Sequence, residues 1–426
     1  MSRRFRAPKG NGEILADPPF AAVGELARRN RELLDSAEVE IDGTRLREFR
    51  SRARSELCEI QSGKFVFVTG HQPELFHPGV WAKNFALNGL ARRLNAVPLN
   101  LIVDNDTMKA GHILAPVWDA DPTKVRLEKQ PFDDFPGEVP WELSKWSAEF
   151  SARRIDTEHR WGCENAELRV SELSQSTAFR RFAAHITANL PRFRVSYNRA
   201  VSEYRIAHGI KSRSHPVPDL AENELPFWEF TNTGRVRATP ATPPDRLRPR
   251  ALTLTLFVRL CLADWFIHGI GGGKYDEVTD AILRDFFGIE PPAFQVVTGT
   301  LHLPAPGFPR TQADVVELEA TLRRLHWNPE GFLPADHPAR LEKATLAAQK
   351  PNGRPAVRRW FARIRELTTE MRTATAVAEQ VADTEQELAR ARAEVAANAI
   401  LYRRDFAWVL YPEDVLRPFL QQFLSV

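Results

Sequence analysis

The sequence predicts an α/β protein: a parallel-sheet core, an inserted cap region and a C-terminal helical hairpin or coiled coil. Three observations carry that prediction. "KFVFVTG" (64–70) is a continuous apolar run that ends in a breaker, as strands covered on both faces do, and "LNLIV" (99–103) is a second apolar strand that ends at polar residues. Between them Trp81, Phe85, Leu90 and Leu94 recur at helical spacing. From Leu367 onward, Met371, Ala374, Ala378, Val381, Leu388 and Val395 alternate in steps of three and four, interrupted by Glu385 and Arg392.

The elements follow in order. Residues 1–60 read as an N-terminal arm with two polar helices, "FAAVGELARRNRELLD" and "TRLREFRSRARSELCEI". The core spans 61–310, interrupted at about 110–250 by a Trp-, Phe- and Pro-rich insertion with helical and loop stretches. Pro78 and Gly79 suit the start of the first core helix. Strand, helix and strand then make a right-handed βαβ unit. In such a unit the loops after both strands leave the same sheet edge, so "GHQPELFHPG" (70–79) and "DNDTMK" (104–109) should lie side by side. A second α/β unit follows: strand "DWFIHG", loop "GIGGGKYD", helix "EVTDAILRDFFG" ended by Gly288, and strand "FQVVTGTLHL". Residues 311–426 are helical, and the apolar seam at about 359–405 predicts a homodimer through these helices. The apolar tail "FAWVLYPEDVLRPFLQQFL" should dock on something.

Composition excludes several function classes. The chain of 426 residues carries a net charge of +3, with arginines scattered among acids, which gives no nucleic-acid footprint. Its three cysteines stand far apart without a CxxC pair, so neither a structural zinc site nor a disulfide framework is expected. The basic N-terminus lacks an apolar segment after it, and no uncharged run is long enough to span a bilayer. A cytoplasmic small-molecule protein is the simplest expectation.

Candidate site residues cluster at the strand ends. Thr69, Gly70, His71, Gln72 and His77 follow the first strand, and Asp104 and Asp106 follow the second. Histidine at a strand end can bind phosphate or carboxylate or exchange a proton. No known metal-ligand signature is present, so no metal is assigned. Gly271, Gly272, Gly273 and Lys274 suggest an anion-binding turn before a helix. The run is not a Walker A motif, because His268 and Tyr275 stand where a glycine and a Ser or Thr are required. A plain strand-to-helix turn is the alternative.

Together "VTGHQPELFHPGVW", "LIVDNDTMK", "LTLFVRLCLADWFIH", "GIGGGKYDEVTD" and the late helical hairpin resemble the cysteine-adding enzyme family of bacillithiol biosynthesis (BshC-like proteins). The resemblance covers about half the chain. Gln72, Leu75 and Phe76 agree with the family's first loop, whereas His71 stands in place of Gln, and Pro78-Gly79 reverses its Gly-Pro. Asp104-Asn105-Asp106 replaces an acidic run with a histidine. The resemblance implies a Rossmann-like core, a coiled-coil homodimer, and a ligase that joins the carboxylate of cysteine to the amine of glucosaminyl malate. A carboxylate acylates an amine only after activation, so ATP with Mg²⁺ are the candidate cofactors, with His71, His77 and Lys274 stabilising charge and Asp104 and Asp106 orienting an amine or Mg²⁺. Two other readings stay open: a nucleotide-dependent transferase or ligase for an unrelated small molecule, and a non-catalytic coiled-coil dimer.

Overall fold

The structure is a computed structural model that describes residues 5–58, 63–134, 137 and 139–426. The first four residues of the basic N-terminus, and Glu59 and Ile60 at the end of the second predicted helix, lie outside the described residues. The chain divides into two compact units: residues 1–115, 129–304 and 404–426 form one, and 116–128 with 305–403 form the other.

The first unit is built on a six-stranded sheet. Among its elements, in chain order, are β1 (Ile14–Asp17), α1 (Val23–Ser36), α2 (Leu46–Cys58), β2 (Phe65–His71), α3 (Pro78–Leu94), β3 (Ala96–Ile102), α4 (Lys145–Arg160), β4 (Ala166–Arg169), β5 (Trp265–His268), α5 (Ile270–Ile282) and β6 (Gln295–Gly299). The strands lie in the order β1, β6, β5, β2, β3, β4, and all neighbours are parallel except β1 against β6. The chain therefore lays β2, β3 and β4 outward in one direction, then returns to place β5 and β6 beyond β2. That reversal is the order of a Rossmann-like sheet, and it puts the topological switch point between β2 and β5.

Sequence and packing agree in the centre. Val66, Phe67, Val68 and Thr69 are buried, as the uninterrupted apolar run requires. At the amino end of β5, Asp264 receives Arg50 at 3.0 Å, Arg54 at 2.7 Å and Arg31 at 2.7 Å, and accepts the Val66 N–H at 2.9 Å. A fully buried carboxylate is tolerated there because three guanidiniums and a backbone amide surround it.

Both ends of the chain depart from the expected boundaries. Residues 1–60 are not a detached arm, since β1 closes one edge of the sheet and the arginines of α1 and α2 hold Asp264. The partner strand β6 lies far along the chain, so no local pattern could announce the pairing. Within the predicted insertion, β4 joins the sheet through the short charged segment "AELR". The tail belongs to the first unit rather than to a C-terminal domain. The Trp408 ring lies 4.6 Å from that of Trp81 of α3, tilted by 45°, and the Trp408 backbone N–H donates to the Phe76 carbonyl. The expected docking surface of the tail is thus α3.

The second unit contains α6 (Gln312–Trp327), α7 (Arg354–Thr373) and α8 (Thr375–Leu401). Its two apolar clusters join Leu325, Leu333, Leu367, Met371 and Val377, and Val315, Leu388 and Ala391. Part of the seam expected to make a coiled-coil homodimer is covered by the chain's own helices: Leu367, Met371 and Leu388 are buried where α8 packs along α6 and beside α7, whereas Ala378 is exposed. A three/four alternation records a buried stripe without saying which helix covers it. No helix among the described residues is long and apolar enough to cross a membrane.

Candidate functional site

A cavity of about 670 Å³ opens at the switch point. Its walls include the ends of β2 and β5, the starts of α3 and α5, and parts of the region between β4 and β5. A volume of this order is that of a small-molecule site.

Two helix N-termini face the cavity. α3 starts at Pro78 with His77 as N-cap, and α5 starts at Ile270 with Gly269 as N-cap. Neither N-cap side chain satisfies the first-turn amides, and neither helix carries an acid in its first turn. At α3, Pro78 has no N–H and the Val80 N–H already donates to the His77 carbonyl at 2.9 Å. This start offers an anion mainly the positive end of its dipole, whereas α5 begins without a proline. Close packing fixes one of these starts: a Cβ on Gly79 would collide with the Gly299 carbonyl and lie 2.6 Å from Arg404 Nη2.

Cations reinforce this side. Lys83, on α3, is buried and donates to the Gly70 carbonyl at 2.8 Å. Burial lowers its ammonium to about 8. Arg404 lines the same cavity and donates to Thr298 Oγ1 at 2.8 Å and the Gly299 carbonyl at 2.7 Å. His77 is held down to about 4, by burial first and then by Arg404, and its buried Nδ1 has no partner among the described residues.

The loops after β2 and β3 supply the other side. Gln72 Nε2 donates to Asp106 Oδ2 at 2.9 Å, and Arg235 donates to Asp106 Oδ1 at 2.8 Å. Burial works against ionisation of Asp106, yet the Gln72 and Arg235 contacts outweigh it and keep its pKa below the ordinary value. Glu74 also lines the cavity, and burial raises its pKa. His71 is lowered to about 3, by burial and then by Lys83. Its Nδ1 lies 3.1 Å from the Gln72 carbonyl, which can only accept, so Nδ1 carries the proton and Nε2 is the free base.

Of the residues proposed from sequence, Gly70, His71, Gln72, His77, Asp106, Gly271 and Gly272 line the cavity. Four do not. Thr69 donates within the sheet to the Ile267 carbonyl at 2.8 Å. Asp104 accepts Ser171 N–H at 2.9 Å and Ser171 Oγ–H at 2.6 Å, and so holds the start of the helix Val170–Gln175. Gly273 faces β6, where a Cβ would collide with Val296. Lys274 is exposed and outside the lining.

The last two share a cause. "GIGGGKYD" is not a loop: it is the first turns of α5, so Lys274 projects from the helix surface. Gly272 and Gly273 let the helix sit directly on β5 and β6, since a Cβ on Gly272 would lie 2.6 Å from His268 Nδ1. Asp276 and Glu277 consequently fall in the second turn and do not oppose an anion at the helix start. Asp276 instead binds His268 Nε2 and Arg259 Nη1, each at 2.7 Å, and despite burial these partners keep its pKa low.

Sequence reading missed Glu74, Lys83, Arg235, His268 and Arg404. Lys83 alone left a local signal, a single lysine in the apolar helix "VWAKNFALNGL". Among the described residues no three His, Cys, Asp or Glu side chains converge on a metal position. Of the three carboxylates in the cavity wall, Asp276 is taken by His268 and Arg259, which leaves Glu74 and Asp106 to share Mg²⁺ with a ligand's phosphates, the usual manner of holding that ion.

No protein-family model matches the chain, and no curated protein matches it. Among solved structures it is similar to tryptophanyl-tRNA synthetase of Plasmodium falciparum, at 9% identity and a TM-score of 0.28 over 94% of this chain and 93% of that one. It is also similar to tyrosyl-tRNA synthetases of Archaeoglobus fulgidus (12% identity, TM-score 0.30, 86% and 99% covered) and Aeropyrum pernix (11%, 0.28, 89% and 99%). The fold class rests on the strand order of the sheet rather than on these overlays.

Proposed function

We propose that the protein is an enzyme whose switch-point cavity joins a carboxylate to an amine, as a ligase of the cysteine-adding type that its loop motifs resemble. One observation carries the reading: a single cavity is anion-receptive on one side and bears carboxylates on the other. The starts of α3 and α5, with Lys83 and Arg404, suit a carboxylate or phosphate. Glu74 and Asp106 suit an ammonium group. When bound, ATP would supply the activation that turns the carboxylate into an acyl-adenylate or acyl-phosphate. The chain's part is to hold the two reactants together, to stabilise phosphoryl charge, and to take a proton from the amine. Glu74, with its raised pKa, would take that proton, and His71, held neutral, would offer its free ring nitrogen as a hydrogen-bond acceptor. The departures at His71, Pro78-Gly79 and Asp104–Asp106 leave the acid and the acceptor as the variable parts of the proposal.

The test is direct. Purified protein is incubated with ATP·Mg²⁺, L-cysteine and glucosaminyl malate, and the mixture is read by mass spectrometry for the condensed product and for AMP or ADP. Product dependent on all three is the expected result. Nucleotide cleavage with a different acid or amine would keep the ligase and replace its substrates. Neither product nor nucleotide turnover across a panel of acids and amines would overturn it.

A further inference from the structure

We infer that Lys83 is the cation that seats the ligand's anionic oxygen group, phosphate or carboxylate, in the crevice between β2 and β5. The inference rests on the reading of this cavity as the small-molecule site.

Lys83 is only 3% exposed although it lines the cavity. Its ammonium has three donors, of which one goes to the Gly70 carbonyl at 2.8 Å. Among the described residues no carboxylate forms an ion pair with it. Buried lysines are rare unless paired, because desolvating the charge is costly. A cavity that receives an anion provides the missing partner.

The position is as telling as the burial. The Lys83 donor reaches the end of β2 at Gly70, and its stem passes the end of β5, where a Cβ on Gly269 would lie 3.9 Å from Lys83 Cδ. Gly269 is the N-cap of α5, whose first turn has no side-chain cap and no acid. An ammonium and a set of unfilled helix amides therefore stand together at the switch point. Phosphate loops join the same two features within one segment. Here the helix start comes from α5 and the lysine from α3, and Lys274, adjacent in sequence to the glycines, is not the partner.

The competing role is structural, with Lys83 serving only to pin the Gly70 carbonyl. Lys83→Met keeps the length and apolar stem while removing the charge, and Lys83→Arg keeps the charge. Isothermal titration of wild type and both variants, with inorganic pyrophosphate in one arm and L-malate in the other, separates the two roles and the two sources of the anion. The wild type should bind at least one probe, and that probe identifies the group. Lys83→Met should weaken it by about tenfold or more, the scale of one charge-assisted contact. Lys83→Arg should recover part of the loss, and the unliganded melting temperature of Lys83→Met should equal or exceed that of the wild type. Equal affinity of Lys83→Met and wild type overturns the inference and leaves the cavity reading standing. So does a large fall in melting temperature with unchanged affinity, which assigns Lys83 to structure. If the wild type binds neither probe, the cavity reading falls and Lys83 with it.

Discussion

Gln72 donates a 2.9 Å hydrogen bond to Asp106, tying the loop that leaves β2 to the loop that leaves β3. Parallel βαβ geometry demands that these loops be neighbours, and this contact is how the chain uses the proximity. Arg235, from the region between β4 and β5, closes on the same carboxylate. Removing Asp106 leaves three donors, Gln72 Nε2, Arg235 Nη2 and the Thr107 N–H, without this acceptor. Asp106→Ala should lower stability by about 1.5–3 kcal/mol, and Gln72→Ala by about 0.5–1.5 kcal/mol, measured by urea denaturation at pH 7. Because the folded pKa of Asp106 lies below its ordinary 3.8, its contribution is present above that pH and is lost as pH falls through the folded value.

His71 and His77 set a second pH dependence. Their folded values, about 3 and about 4, lie below the ordinary 6.5, so the unfolded chain takes up protons that the folded chain refuses. Stability due to keeping these rings neutral is complete above pH 6.5 and declines as pH falls toward 4. The melting temperature should drop across that window. The double variant His71→Gln, His77→Gln should flatten the decline; an unchanged slope would assign it to other groups.

Gly79 has no room for a side chain, since a Cβ would meet the Gly299 carbonyl and Arg404. Gly79→Ala should cost about 1–3 kcal/mol by overpacking. It should also weaken anion binding, because the start of α3 must move away from β6. Denaturation and titration with pyrophosphate measure the two effects.

Lys274 is exposed on α5 and absent from the cavity wall. Lys274→Ala should bind pyrophosphate within about twofold of wild type, as befits a screened surface charge. A loss comparable with that of Lys83→Met would return the anion site to the glycine turn.

Leu388 is buried between α8 and α6 within one chain. Leu388→Ala should destabilise the second unit by about 2–5 kcal/mol, as a cavity in a packed core does. Light scattering should give the same mass for variant and wild type, because Leu388 packs against Val315 and Ala391 of its own chain. A mass halved by the variant would restore the dimeric coiled coil.

The sequence by itself determined the local elements and their polarity. The runs at 64–70 and 99–103, the Pro-Gly helix start and the Gly288 stop were all legible, because apolar periodicity and backbone preference act over a few residues. One local constraint of chirality then carried the two polar loops to the same sheet edge, and Gln72 and Asp106 met there. Tertiary structure decided everything that joins distant segments. It paired β1 with β6, drew "AELR" into the sheet, brought Arg404 from the tail to the start of α3, and set Leu388 of α8 against Val315 of α6. It also reversed the roles of two lysines. Next to three glycines, Lys274 looks like the anion ligand, but Gly272 and Gly273 serve close helix–sheet packing, and the helix they open turns Lys274 outward. Lys83 looks like a flaw in an apolar helix until β5 returns beside β2 and makes a crevice around it. Periodicity reports which face of a helix is buried; what that face is buried against depends on the order in which the chain lays down its strands.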